Sequence, residues 1–481
     1  MRARIFAEEN KKWWTLVAVS FGLFMIMLDN TVVNVALPSM QRSLDLKVSE
    51  LEWIVTGYAL TFGAFMLTGG KLADLFGRRL MFVVGLTVFT AASLACGLAG
   101  SASVLIGARV IQGLGAALMN PATLSIITVT FHPRERARAI GIWVGVSALA
   151  LAVGPLVGGL ITERVNWNWI FFINVPIGIL AIAFAFLFIH ESRDTSREQR
   201  PDVPGLATSA VGLFALTYAL IEANSYGWSS ARIIGSFVIA AVALGSFVVL
   251  ELRQRLPMLD LSLFRNRTFA GANTVMLFVA LAMFGVFFYV SLYLQQVLGY
   301  SPIQAGAMFL PMTLLITFIA PQAGKLVNRV GAGPLVGTGL TLVGLSLVVY
   351  SLLGVNSDFW DLLPAMILGG IGMPLTMTPT TASAMSAVSR DKAGVGSAVL
   401  NSARQVGGSI GIALMGAIVA SGTNAYLASG HDHAEAFVHG LHGGLLLAAV
   451  LAFSGAVIGV LTLRKVDHPL DPAAVAAAEA A

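Results

Sequence analysis

Charge is scarce in this chain. Of its 481 residues only 11% are Asp, Glu, Lys or Arg, 57% are hydrophobic, and the mean hydropathy is +0.83. A soluble domain carries about 25% charge, so a water-facing surface is excluded for most of the chain and lipid must be its solvent. Cysteine is nearly absent. Cys96 stands alone in an apolar run, which excludes a disulfide framework and a thiolate metal site. No Gly-rich loop ending in Lys-Ser or Lys-Thr occurs, which argues against ATP-driven chemistry. No run holds paired carboxylates or a nucleophile with its base, and no connection exceeds about 18 residues. An enzyme or a sensor with a soluble domain therefore has little room. A channel is disfavoured too, since no filter sequence repeats and no ring of like charge is visible. The net charge of +5 is scattered over many short loops and does not indicate nucleic-acid binding. The first apolar run, Trp13–Leu37, is too long for a signal peptide, contains Asp29 and lacks a small-residue cleavage site.

What is present is a series of apolar runs about 20 residues long, the length of a spanning helix rather than a barrel strand. Fourteen can be drawn between residues 13 and 463. With the N-terminus in the cytoplasm, 23 of the 29 Lys and Arg fall on the inner side and 4 on the outer, while Arg109 and Arg404 lie inside spans. This asymmetry supports an even number of spans and two cytoplasmic termini. The stretch GKLADLFGRR, Gly70–Arg79, separates the second and third spans, and GKLVNRVGAGP, Gly324–Pro334, follows the tenth. A basic loop used twice on one side indicates two parallel repeats about an axis along the membrane normal. The expected organisation is all-α: a six-helix half over 1–189, an inserted pair of spans over 190–268, a second six-helix half over 269–465, and a disordered tail over 466–481.

Four stretches resemble the major facilitator superfamily, and within it the fourteen-span drug:proton antiporters. They are LDNTVVNVALP (Leu28–Pro38), GKLADLFGRR, RVIQGLGAA (Arg109–Ala117), and Gly145 together with GPLVGG (Gly154–Gly159). The likeness covers nearly the whole chain. It implies a major facilitator fold with fourteen transmembrane helices and a multi-pass protein of the cytoplasmic membrane. It implies export of hydrophobic, in some cases cationic, small molecules or drugs by alternating access, driven by protons, without a cofactor or metal and as a monomer. The alternative is a dedicated exporter of an endogenous metabolite, lipid or siderophore. In this family the first-span acid and the fourth-span arginine are tied to proton coupling, and the loop between spans two and three clamps the inner ends of the halves in the outward-open state.

Asp29 is the most informative residue. A carboxylate at the centre of a lone spanning helix costs roughly 2.5–3.5 kcal/mol, so it must face a cavity, bind a proton or pair with a cation. Helical rise puts Asp29 ~24 Å from Trp13 and Arg109 ~9 Å from the opposite end of its span, at comparable depth. Gln112 and Gly113 share a face with Arg109. Asp29 is read as a proton site tuned by Arg109; the plain alternative is a static ion pair holding spans one and four. Glu222, near the outer end of span seven, is a second proton-site candidate or an interfacial carboxylate. Asp74, Arg78 and Arg79 form the gate-loop candidate, with Gly70 and Gly77 allowing close approach and a tight turn, and Asp74 is expected to meet the start of span thirteen near Lys392. Asn328 stands where Asp74 does in the second copy, so the latch is asymmetric. Gly145, Gly154, Gly158 and Gly159 give span five a face without bulk, and Pro155 bends it. Gly369, Gly370, Gly372, Pro374 and Pro379 predict a similarly broken span twelve. Asn34, Gln112, Gln295, Asn401 and Arg404 are candidate cavity liners. The histidines between His431 and His442 read as solvated loop residues rather than metal ligands.

Overall fold

The computed structural model describes residues 8–193, 202–255, 257–388 and 393–463. The expected tail and the expected meeting point of Asp74 near Lys392 lie outside the described residues. Among the described residues, fourteen helices are long and apolar enough to cross a membrane. In chain order they are α1 (Glu8–Leu44), α2 (Val48–Phe76), α3 (Arg78–Gly97), α4 (Ala102–Thr130), α5 (Pro133–Arg164), α6 (Trp169–Phe172 and Asn174–Phe188), α7 (Val203–Tyr226), α8 (Ala231–Arg253), α9 (Arg267–Leu292, ending in a π-turn over Tyr293–Val297), α10 (Pro302–Met308 and Leu310–Val330), α11 (Ala332–Tyr350), α12 (Phe359–Ser386), α13 (Ala393–Ala428) and α14 (His433–Thr462). In lipid every backbone N–H and C=O must be satisfied within the segment, which forces long apolar runs into helix. Turn chemistry sets the ends. Asn266 caps α9, Ser301 caps α10 and Asp358 caps α12, each side chain accepting from backbone amides of the first turn.

Helices α1–α6 and α9–α14 repeat one packing pattern. In the first half α2 and α3 pack on α4, and α5 and α6 on α1; in the second, α10 and α11 pack on α12, and α13 and α14 on α9. The two signature loops share a backbone device. Gly77 and Gly331 stand at corresponding positions, with φ of +124° and +93°. This is backbone that side chains rarely adopt, and it lets one helix end and the next begin without a loop. The inserted α7 and α8 pack on each other, and α7 lies against α2 and α13, one helix from each half. Asn224 of α7 donates to the Ala417 carbonyl of α13 at 2.7 Å.

The halves meet through α2 with α13, α5 with α10, and α1 with α9. Hydrogen bonds at this seam gather towards the face that carries the α1–α2 connection. Ser291 donates to the Asn34 carbonyl at 2.8 Å, Gln295 to the Val35 carbonyl at 2.9 Å and the Ile303 amide to Glu163 at 3.0 Å, while Ser402 donates to the Gly63 carbonyl at 2.9 Å midway along α2. The molecule is therefore sealed at that face. One expectation fails: α12 is not broken, because its prolines, Pro364, Pro374 and Pro379, sit inside one continuous helix. Neighbouring packing can tolerate the missing amides in a membrane helix.

Candidate functional site

Asp29 of α1 and Arg109 of α4 meet, as their matched depths predict. Arg109 Nη1 lies 2.5 Å from Asp29 Oδ2, and the two side chains are 0% and 1% exposed. Further hydrogen bonds surround the pair. The same Nη1 reaches Gln112 Oε1 at 2.8 Å, Gln112 Nε2 donates to Asp29 Oδ1 at 3.0 Å, and Arg109 Nε donates to the Ile54 carbonyl of α2 at 3.0 Å. The guanidinium lies 4.2 Å from the centre of the Tyr58 ring and 5.8 Å from that of Phe171, a cation–π arrangement that offsets part of its lost hydration. Behind Gln112, Ser93 accepts from Asn174 at 3.0 Å and donates to the Phe171 carbonyl at 3.0 Å. The result is a polar cage assembled from α1, α2, α3, α4 and α6.

The sequence fits the cage closely. Gly113, one residue past Gln112, sits against the Tyr58 carbonyl of α2, so α4 approaches α2 where a side chain would block it. Desolvating two charges costs several kcal/mol each and is offset only when geometry and hydrogen bonds are complete. The hydrogen bonds among Asp29, Arg109, Gln112 and the Ile54 carbonyl supply much of that compensation, while Tyr58 Oη and Asn174 Oδ1 make no hydrogen bond among the described residues. Chemically it holds a carboxyl group beside a fixed positive charge, with both side chains buried.

Glycines define the α5 seam. A Cβ at Gly154 would strike Thr31 of α1, one at Gly158 the Val32 backbone, and one at Gly159 the Pro302 carbonyl of α10. Gly306 of α10 lies in turn against the Pro155 carbonyl. Gly145 corrects the expectation: nothing lies within 4 Å of where its Cβ would stand, so it belongs to no close contact here. Gly70 is likewise only in ordinary contact, with Pro121 at 3.6 Å, whereas its neighbour Gly69 lies directly against the Ala117 carbonyl of α4.

A family model described as Major Facilitator Superfamily matches residues 19–412. The chain belongs to the major facilitator superfamily. It is 37% identical over 469 residues to the Multidrug resistance protein Stp of Mycobacterium tuberculosis (strain CDC 1551 / Oshkosh), covering 96% of this chain and 86% of that one. It is 36% identical over 463 residues to the Puromycin resistance protein pur8 of Streptomyces alboniger, covering 95% and 91%. Among solved structures, an auto inhibited POT family peptide transporter superposes with a TM-score of 0.69 at 18% identity, covering 94% and 96%. A bacterial homolog of the human lysosomal transporter Spinster, inward-facing and unoccupied, gives 0.67 at 18% identity, covering 95% and 98%.

In this major facilitator chain the gate loop is tied to its own half. Asp74 pairs with Arg78 at 3.1 Å, Arg79 Nη1 donates to the Ile189 carbonyl at 3.2 Å, and the Arg79 and Leu80 amides donate to the Glu191 carboxylate at 3.1 Å each. Lys71 instead reaches the Pro257 carbonyl beyond α8 at 2.5 Å. Asn34 and Gln295 lie at the closed α1–α9 seam, and Gln112 lies within the cage. Asn401 is buried on α13 and donates to the Ser397 carbonyl at 3.0 Å, with Arg404 half-buried one turn on. Tyr426 is stacked between His431 and His439, with ring centres 3.8 and 4.4 Å away. Glu222 is half-buried on α7, within electrostatic reach of Glu52.

Glu52 is the residue that sequence reasoning missed. It is 4% exposed in α2, and Tyr289 of α9 donates its hydroxyl to it from the other half. The signal was available: a carboxyl in LEWIVTGYAL, inside an apolar run. Its position in the first turns made it resemble an ordinary interfacial acid.

Proposed function

We propose that this chain is a proton-driven antiporter that exports hydrophobic small molecules or drugs across the cell membrane, acting as a monomer with both termini in the cytoplasm. The Asp29–Arg109–Gln112 cage carries the coupling reading: it is a carboxyl held at membrane depth, next to a permanent cation, on the first and fourth helices of a major facilitator half. The resistance exporters among its relatives support the substrate class. The excess of Lys and Arg at the terminal-bearing face supports the orientation. In the proposed cycle Asp29 takes up a proton when the outer face is open. Substrate and proton then compete for the same half, and rocking of the halves exchanges one for the other. A proton crossing 100 mV supplies ~2.3 kcal/mol, enough for a roughly fifty-fold substrate gradient at 1.4 kcal/mol per decade.

The test is dye efflux from energised vesicles, with ethidium or a similar lipophilic cation, with and without a protonophore. Asp29→Asn should abolish the protonophore-sensitive efflux. Because it strands Arg109, the variant's folding is checked by size exclusion in detergent. Normal efflux by a folded Asp29→Asn would sink the assignment. If wild type exports no dye at all, the second reading gains: a dedicated exporter of one endogenous compound.

A further inference from the structure

A second carboxyl sits at the seam between the halves. Glu52 is buried, yet among the described residues it belongs to no ion pair. Its side-chain partner there is the Tyr289 hydroxyl of α9. Behind both stands Gly416 of α13, where a Cβ would strike the Glu52 carboxyl and the Tyr289 oxygen. The Tyr289 ring is packed against Phe288 and Phe437, with ring centres 4.8 and 6.5 Å away. A first-half carboxyl is thus enclosed by two second-half helices at the sealed face.

The surroundings decide which form of the carboxyl fits. From α9 it meets Tyr289. From α7, Glu222 stands within electrostatic reach, and a second carboxylate opposes ionisation of the first. From α13 it meets a glycine. From α4, Arg109 turns its guanidinium to Asp29, Gln112 and the Ile54 carbonyl. An ionised carboxylate shut away from water with one phenol donor and no cation is strongly disfavoured, whereas a carboxylic acid hydrogen-bonded to a phenol is not. When α9 and α13 move away, water can solvate the carboxylate.

We propose that Glu52 is a second proton-binding site, distinct from Asp29, and that its protonation latches the two halves together at the outer face through Tyr289. The carboxylate takes its proton from water on the outer side before closure and returns it there on opening, so proton and closure favour one another. This site carries no proton inward. It makes closing of the outer face depend on external acidity. The naming of that face rests on the orientation proposed above, but the test does not depend on transport.

Spin labels at Ser43→Cys, on the last turns of α1, and Asn356→Cys, in the α11–α12 connection, both exposed, report the separation of the halves at this face. A Cys96→Ala background removes the one native thiol. In nanodiscs the wild-type distance should be short at about pH 5 and should lengthen towards about pH 9 as carboxyls ionise. Glu52→Gln, neutral at every pH, should keep the short distance throughout. Tyr289→Phe should move towards the long distance at every pH while still responding to pH. A wild-type distance that ignores pH overturns the proposal, as does a Glu52→Gln curve that follows wild type. Should Glu52→Gln fail to fold, Tyr289→Phe decides: a distribution unchanged from wild type overturns it. Loss of dye efflux with these distance changes intact would count against the transport reading and not against the latch.

Discussion

Arg109 donates to three partners at once: the Asp29 carboxylate, the Gln112 amide oxygen and the Ile54 carbonyl. A lysine offers one charged point and cannot reproduce the planar fork. Arg109→Lys should therefore lose most efflux even though charge is conserved. Removing one member of a buried pair typically costs about 3–5 kcal/mol because the other is left uncompensated. Arg109→Ala should lower thermal stability in detergent by an amount of this order. Asp29→Asn with Arg109→Gln should recover most of that loss while remaining inactive, and thermal melts of the three variants read this directly. If the double variant were as unstable as Arg109→Ala, charge compensation would not be what holds the cage. The pair itself was legible in the sequence, because two intramembrane charges at matched depth have few other places to go. The acceptors Ile54 and Ser93 were not, since a backbone carbonyl and a serine in an apolar helix carry no pattern. Glu52 escaped for another reason: its burial comes from helices more than two hundred residues away in the chain.

At the scale of helices, small residues set the seam. Gly159 and Gly306 lie against the carbonyls of the opposite helix, and neither backbone can yield as a flexible side chain could. Gly159→Ala and Gly306→Ala should each disfavour closure at the α1–α2 face, lengthening the Ser43–Asn356 label distance and lowering efflux. Gly145→Ala, with open space around it, should leave stability unchanged or raise it by up to ~1 kcal/mol through helix propensity. The motif at Gly154–Gly159 made the first outcome readable from sequence. The motif that includes Gly145 did not separate a packing glycine from an open one, because sequence spacing does not say which neighbour fills the gap. The inserted pair is anchored in a comparable way. Asp202 caps α7, accepting from the Gly205 amide at 2.8 Å, Gln254 at 2.9 Å and the Met258 amide at 3.2 Å. Burial alone would raise its proton affinity, but these donors, with Glu251, hold its pKa below the usual carboxylate value. With the folded value depressed, its contribution is present above the unfolded pKa of about 3.9 and is lost only as acid protonates the folded group. Asp202→Ala should cost roughly 1 kcal/mol in melts at neutral pH, a deficit that shrinks below about pH 4.

At the scale of the molecule, fold class and repeat were legible because lipid leaves a chain so few options: run length sets the spans and a duplicated loop marks the halves. The conformation was not legible, since the same spans serve either opening. The structure is closed at the α1–α2 face, where α1 meets α9, α5 meets α10, and α2 meets α13. The gate loop at the opposite face is tied within its own half. If the protein works by alternating access, this seam must part in every cycle. Gln41 and Gln296, joined side chain to side chain at 2.5 Å, give a place to prevent it. Gln41→Cys with Gln296→Cys, bridged by a short reducible bis-thiosulfonate, should stop efflux completely, and a reductant should restore it. Substrate binding from the opposite face should survive the bridge, because nothing there has been locked. Undiminished efflux in a fully cross-linked sample would mean that substrate leaves by a route other than this seam.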